Sequence, residues 1–222
     1  MPEKKYLAIG DIHGCLQSLN ALLEKCQQYN DRTFIFVGDY IDRGPDSKGV
    51  IDRLITFKDE QDCIFLRGNH EQMLLDAYFY HKLDMWLMNG GRSTLASYGA
   101  TYQEFEFPDG HLNFYESTKM YYDTPNYFFV HAGISPHKTI KENLESEEEI
   151  QDFLWKRSHL NAFDTPWEKP IVFGHTPRFH PIRKPQMIGI DTGCVYDKLG
   201  YGKLTAMLLP EGTFEQQICI DN

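Results

Sequence analysis

The chain has 222 residues, 41% hydrophobic and 14% aromatic, a globular composition able to bury a sizeable core and expected to form one domain over residues 1–222. Its 22 Lys+Arg against 32 Asp+Glu give a formal charge of −10, which sets most of the surface against nucleic acid and excludes a basic groove. No apolar run suits a membrane span or a signal peptide, and five widely spaced cysteines read as buried thiols of a reducing compartment, forming neither a disulfide framework nor a zinc pattern, so a cytoplasmic setting is expected.

The apolar run Tyr6–Ile9 predicts a first strand, and Gly10-Asp11-Ile12-His13-Gly14 follows it. Alternate side chains of extended backbone share a face, so Asp11 and His13 can reach one ion. Leu19, Leu22, Leu23 and Cys26 recur at helical spacing, which predicts a crossover helix and a βαβ unit returning the chain to a strand at Phe34. That second strand runs into F-I-F-V-G-D-Y-I-D-R-G and releases Asp39, Asp42 and Arg43 beyond its carboxyl end, where open α/β sheets bind ligands. Val50, Ile51, Leu54 and Ile55 mark a second helix, and residues 63–66 a third strand that ends in Arg67-Gly68-Asn69-His70-Glu71.

Residues 73–86 are expected to be helical, broken at Gly90-Gly91 and resumed through Leu95 and Tyr98, with their aromatics read mainly as core. The stretch 98–122 carries no pattern that assigns it. A fourth strand at 127–130 delivers His131-Ala132-Gly133. In the acidic stretch 143–152, Ser146 and Glu149 are spaced as a capping box, and the acids suit the positive end of a helix expected to carry Phe153, Trp155 and Arg157. Strands at 171–173 and 187–190 lead into Gly174-His175-Thr176-Pro177 and Asp191-Thr192-Gly193, and a hairpin around Pro210-Glu211-Gly212 closes the chain.

Asp11, His13, Asp39, Asn69, His131 and His175 all follow apolar strands and offer oxygen and nitrogen donors without a thiolate. A single histidine is more often structural than a ligand, but several at strand ends beside carboxylates reverse that weighting. One ion could not use all six residues; two could if Asp39 bridges, with Asp11 and His13 on one and Asn69, His131 and His175 on the other. Imidazole argues against calcium, and the mixed set suits manganese first, with iron or zinc as alternatives. Two divalent ions outweigh the charges of Asp11 and Asp39, so the pocket stays cationic and selects a compact anion such as phosphate, with Arg43, Arg67 and Arg157 adding to it. Two close ions also bridge a water, lower its pKa and clamp an in-line displacement, which implies phosphoester hydrolysis.

In this order, G-D-I-H-G, G-D-Y-I-D-R-G, L-R-G-N-H-E, H-A-G and F-G-H-T-P resemble the signature set of the phosphoprotein phosphatase family of metallophosphoesterases, above all its compact bacterial and phage-type serine/threonine phosphatases. The resemblance implies an α/β four-layer sandwich of the calcineurin-like type, two mixed β-sheets flanked by helices, with a dinuclear site at its edge. It implies His70 as general acid oriented by Asp42, Arg43 and Arg67 as phosphate-binding arginines, and Arg157 in W-K-R as a third. The implied substrate is a phosphorylated protein or small phosphoester, and nothing resembles eukaryotic regulatory-subunit docking segments. The same scaffold serves symmetrical dinucleoside tetraphosphatases, which tend to carry tryptophan after the last Gly-His, where this chain has Thr176-Pro177; a serine/threonine protein phosphatase is therefore favoured. An inactive metal-bound scaffold is the remaining alternative, opposed by His70 and Asp42, because a scaffold has no use for a proton donor.

Overall fold

Side-chain alternation along the strands decides the layering. The computed structural model describes residues 4–221. Its strands are β1 (Tyr6–Ile9), β2 (Thr33–Phe36), β3 (Cys63–Phe65), β4 (Tyr121–Asp123), β5 (Phe128–Val130), β6 (Ile171–Phe173), β7 (Ile182–Lys184), β8 (Met187–Gly189), β9 (Lys203–Leu209) and β10 (Thr213–Ile218). One sheet has the order β10-β9-β1-β2-β3, with β1, β2 and β3 parallel and β9 and β10 antiparallel. The other has the order β4-β5-β6-β8-β7, with a parallel centre and antiparallel edges.

Tyr6, Ala8, Ile35, Val37, Met207 and Leu209 pack between the sheets against Phe129, Val172 and Ile188. Their strand neighbours Leu7, Ile9, Phe34, Phe36, Leu204 and Ala206 face the helices of the first sheet: α1 (Leu16–Cys26), α2 (Ser47–Glu60), α3 (Asn69–Tyr80), α4 (Leu83–Trp86), α5 (Arg92–Ser97) and α6 (Asp109–Ser117). Phe128, Val130, Ile171 and Phe173 face outward from the second sheet, onto Ile140, Phe153 and Trp167 near α7 (Ile140–Asn143) and α8 (Glu147–Asp152). The result is an α/β sandwich of two mixed sheets flanked by helices, as expected. Among the described residues no helix is long and apolar enough to cross a membrane.

Several local expectations need correction. The helix expected over 73–86 stops at His81, which caps α3 in the left-handed region (φ 56°), and restarts as α4. α8 ends at Asp152, so Phe153, Trp155 and Arg157 lie beyond it. Ser146 Oγ accepts from the Glu149 N–H, but the Glu149 carboxylate is drawn to Lys138 instead of closing the box. The unassigned stretch 98–122 supplies α6 and the start of β4, and most of its aromatics join the core, Tyr102 being exposed: Tyr98 bonds His111 (2.7 Å) and Tyr115 (3.0 Å), while Phe107 and Phe114 are buried. Cys63 and Cys219 are half-buried, not fully buried, and all five cysteines are free.

His159 is buried with both ring nitrogens unpartnered, edge-on to Phe173 at 4.6 Å and so close to Gly133 that a Cβ there would collide with the ring. Burial, aided by the Lys184 charge, lowers its pKa from 6.5 to about 4. The unfolded chain therefore binds a proton that the folded chain refuses between those values, so this contribution is full above pH 6.5 and is lost as pH falls toward 4. It is worth about 3 kcal/mol across that window. His159→Leu is expected to flatten this part of the stability profile, measured by urea unfolding at pH 7 and pH 4.5; an unaltered difference between the two pH values would refute the assignment.

Candidate active site

The parallel strands end at a common edge. Asp11 and His13 follow β1, Asp39, Asp42 and Arg43 follow β2, Asn69 and His70 follow β3, His131 follows β5, His175 follows β6, and Asp191 follows β8. His13, Asp39, Asp42, Arg43 and His175 all have positive φ, between 49° and 71°, so the unfavourable backbone geometry of non-glycine residues concentrates at this edge.

Asp39 faces two ways. Its Oδ1 lies 3.4 Å from His131 Nε2, and its Oδ2 lies 3.6 Å from His13 Nε2 and 3.9 Å from His70 Nε2. Asn69 Oδ1 is 2.9 Å from both His131 Nε2 and His175 Nδ1. His131 Nδ1 donates to the Val37 carbonyl (2.9 Å) and His13 Nδ1 to the Ile41 carbonyl (2.8 Å), which fixes both tautomers and turns their Nε2 lone pairs inward. Lone pairs meeting oxygen atoms at such distances need a proton or a cation between them. At this edge, two groups of donors among the described residues are close enough to hold an ion, His13/Asp39/His70 and Asp39/His131/His175, and Asp39 belongs to both. Asp11, expected on the same ion as His13, accepts the His175 N–H (2.9 Å) and presses on Gly174, where a side chain would strike its carboxylate.

The electrostatics fit cations. Burial and the carboxylates of Asp191 and Asp39 raise the Asp11 pKa well above the usual range, and burial raises Asp191 to about 6. Burial, Arg43 and His70 hold His13 far below its usual pKa, and burial with His131 brings His175 down to about 2. Burial also works against the Asp39 anion, but the surrounding His131, His70 and His13 outweigh it and keep its pKa low. Burial opposes charge on His131 as well, but Asp39 outweighs it and raises the His131 pKa, while the lowered His13 and His175 offer neutral imidazoles beside buried carboxylates, which suits divalent ions bound by nitrogen and oxygen.

His70 stands apart. Its Nδ1 meets Asp42 Oδ2 at 2.6 Å, and the Asp42 carboxylate also accepts from Trp86 Nε1 (3.0 and 3.1 Å) and Thr94 Oγ1 (2.6 Å). All four residues are buried, and His70 Nε2 has no hydrogen-bond partner among the described residues. Trp86 and Thr94 escaped sequence reasoning, which read Trp86 as core; its indole N–H was the available signal, since a buried indole usually finds an acceptor. Trp86→Phe keeps most of the volume and removes one donor, so kcat is expected to fall about 10-fold with ion content intact. An unchanged kcat would show that Asp42 is held well enough without it.

Above this floor lies a cavity of about 190 Å³ lined by Asp39, Asn69, His70 and His175, with Arg43, Asn89, Trp155, Arg157, Pro177 and Tyr196 around it. Arg43 Nη1 contacts His13 Nε2 at 2.5 Å, and its guanidinium lies 5.8 Å from the Tyr196 ring. Its backbone abuts Gly90 (φ 114°), where any side chain would press on it, so the break at Gly90-Gly91 lets the helical layer meet this loop. Arg157 Nε donates to Thr176 Oγ1 (3.2 Å), and Trp155 is 41% exposed, edge-on to His175. Arg67 does not join them. Its guanidinium donates to Thr118 Oγ1, Gln72 Oε1 and the Tyr115 and Glu116 carbonyls, because the strand pairing of Leu66 with Lys119 sends the next side chain toward the end of α6. Glu71, Asp191, Asn89, Trp155 and Tyr196 were not foreseen as site residues; the Glu71 carboxylate holds the N–H groups of Asp39, Tyr40 and Gly68 at 2.8–2.9 Å.

Known proteins resemble the chain in sequence and fold. Two relatives named asymmetrical bis(5'-nucleosyl)-tetraphosphatase PrpE are each 32% identical to the chain: that of Oceanobacillus iheyensis, with 93% of this chain and 89% of the relative covered, and that of Geobacillus thermodenitrificans, with 92% and 90% covered. Among solved structures, a candidate diadenosine tetraphosphatase superposes with a TM-score of 0.68 at 25% identity, covering 99% of this chain and 95% of its own. A cold-active protein-tyrosine phosphatase from a psychrophilic Shewanella shares the fold, with a TM-score of 0.66 at 20% identity over 96% and 80% of the two chains. The model of the calcineurin-like phosphoesterase family matches residues 4–196, a span that carries every residue lining the cavity from Asp39 to Tyr196, and the chain belongs to that family.

Proposed function

We propose that the chain is a two-metal phosphohydrolase whose preferred substrate is a dinucleoside tetraphosphate, cleaved asymmetrically. The observation that carries the hydrolytic reading is the placing of donors on both sides of Asp39 at one cavity, with the orphaned Nε2 of His70 beside them. Asp11, His13 and Asp39 would hold one ion and Asp39, Asn69, His131 and His175 the other, manganese being the first choice for this donor set. When bound, the ions supply an activated water and Lewis-acid stabilisation of the phosphoryl oxygens. His70, as imidazolium, gives its Nε2 proton to the departing oxygen, and Asp42 keeps the ring in line through Nδ1. Arg43 and Arg157 offset charge on the phosphoryl group.

The substrate reading draws support from the relatives' name and from the cavity rim. Trp155 and Tyr196 line the cavity beside the proposed ion ligands, where attack on the phosphorus adjoining a nucleoside would bring a base. The relatives' name points to asymmetrical cleavage, in place of the symmetrical cleavage weighed from sequence. Serine/threonine phosphatase activity is the second reading: Thr176-Pro177 in the position of the tryptophan favours it over symmetrical cleavage. The test is the manganese-loaded protein on diadenosine tetraphosphate, phosphoserine peptides and an aryl phosphate. Equal AMP and ATP, with the highest kcat/KM for the dinucleotide, is expected. Two ADP, or a higher kcat/KM for the peptides, overturns the substrate reading; inactivity toward all three overturns the hydrolase.

Arg157 reaches the cavity from an exposed segment past α8, and its hydrogen bond goes to Thr176, which is not a proposed ion ligand. Arg157→Ala is expected to lower kcat/KM about 10-fold and weaken inhibition by phosphate, with ion content unchanged. Kinetics equal to wild type would return Arg157 to the surface.

A further inference from the structure

Cys15, Cys194 and Cys219 come from three distant parts of the chain, yet their sulfurs all lie within 4.8 Å of one another. Sequence spacing hid this, because only the fold brings them together. Cys15 stands between the His13 loop and α1, Cys194 follows Asp191-Thr192-Gly193, and Cys219 follows β10. Cys15 and Cys194 are buried and Cys219 is half-buried, so the cluster is closed beneath and open along one edge. Near that edge the Asp221 carboxylate lies 4.0 Å from Cys219 Sγ, while accepting the backbone N–H groups of Gln17 (2.7 Å) and Ser18 (2.9 Å).

Buried thiols often serve as small apolar fillers. Three of them converging beside a carboxylate go further, since one thiol is left over whichever pair is oxidised, and a tetrahedral thiolate site with bonds of about 2.3 Å needs sulfurs about 3.8 Å apart. Shifts of about 1 Å or less would close the ring. We propose that Cys15, Cys194 and Cys219 form a site for a soft, thiolate-preferring cation such as zinc, cadmium or cuprous ion, separate from the active-site donors and with Asp221 at its open edge. Each metal–sulfur bond replaces an S–H bond, and the proton passes to solvent. The two sites sort ions by chemistry: the active-site donors contain no sulfur, and this cluster is mostly sulfur. An ion here clasps the C-terminal segment to the loops that carry His13 and Asp191.

The test uses cadmium as probe on protein already loaded with manganese. Sulfur-to-cadmium charge-transfer absorption reports thiolate ligation alone, so exchange of ions at the active site does not contribute. Expected are a band that saturates at one equivalent, proton release and a rise in thermal midpoint, in wild type and in Cys63→Ser alike. Cys194→Ser and Cys219→Ser should both lose the band. Cys219 is half-buried, so its serine variant carries the test if Cys194→Ser fails to fold. Absence of the band in wild type, or an undiminished band in folded Cys219→Ser, overturns the site.

Discussion

His70→Asn is expected to reduce kcat on a phosphoserine peptide by about 10²–10⁴-fold, the usual share of general acid catalysis, and to reduce it far less on p-nitrophenyl phosphate. The alkoxide of serine leaves poorly without a proton, whereas the aryl oxide carries its charge well, so the loss should shrink as the leaving group becomes more acidic. The geometry that motivates this is the unpartnered Nε2 of a buried ring whose other nitrogen is held by Asp42 at 2.6 Å. Asp42→Asn should act in the same direction but more mildly, because the imidazole stays and only its orienting charge is lost. A purely structural His70, at the start of α3, predicts equal proportional losses on both substrates that follow stability or ion content. The measurement is kcat for both substrates at saturating manganese, with ion content and thermal midpoint recorded on the same samples. Equal losses in a folded, loaded variant would falsify the general-acid role.

The parts of this fold that could be read from sequence are those written in local pattern. Tyr6–Ile9 and Ile171–Phe173 are short, fully apolar runs ending in glycine followed by a donor, and both are strands of that extent. Such a run fixes a strand, its carboxyl end and hence the edge on which the next side chain appears, which is why local pattern alone suffices to group Asp11, Asp39, His131 and His175. What escaped depends on tertiary partners. Arg67 and Arg43 stand in equally suggestive motifs, but an isolated bridge to Lys119 turns one away, and nothing in the local sequence records that bridge. Trp86 reads as an ordinary core aromatic until its N–H is seen on Asp42, 44 positions earlier. α6 buries only His111, Phe114 and Tyr115, too few apolar positions to show a period, and the halt of α3 at His81 depends on a left-handed residue that composition does not mark. The cysteine cluster is the extreme case, with three positions about 200 residues apart at their widest, following strands of two different sheets, joined only by the tertiary fold.

Asp39→Asn is expected to weaken both ions together and to reduce activity well beyond the roughly 10–100-fold that losing an outer partner of a metal ligand costs. Asp39 is the residue common to both donor groups, with one oxygen toward His131 and the other toward His13 and His70. Asparagine keeps a single carbonyl oxygen and no charge, so whichever side the amide nitrogen faces loses its ligand, and both sides lose the shared anion. The backbone does not confound the result: Asp39 sits at φ 54°, a region that asparagine tolerates as well as aspartate does, and the N–H groups of Asp39 and Tyr40 remain held by Glu71. His13→Ala and His131→Ala serve as the contrast, since each ring meets only one of the Asp39 oxygens and each substitution should loosen mainly one ion. Manganese titration followed by elemental analysis of the three variants separates the cases. Two ions retained by Asp39→Asn at wild-type affinity would remove the bridge and leave Asp39 as a ligand of one ion only.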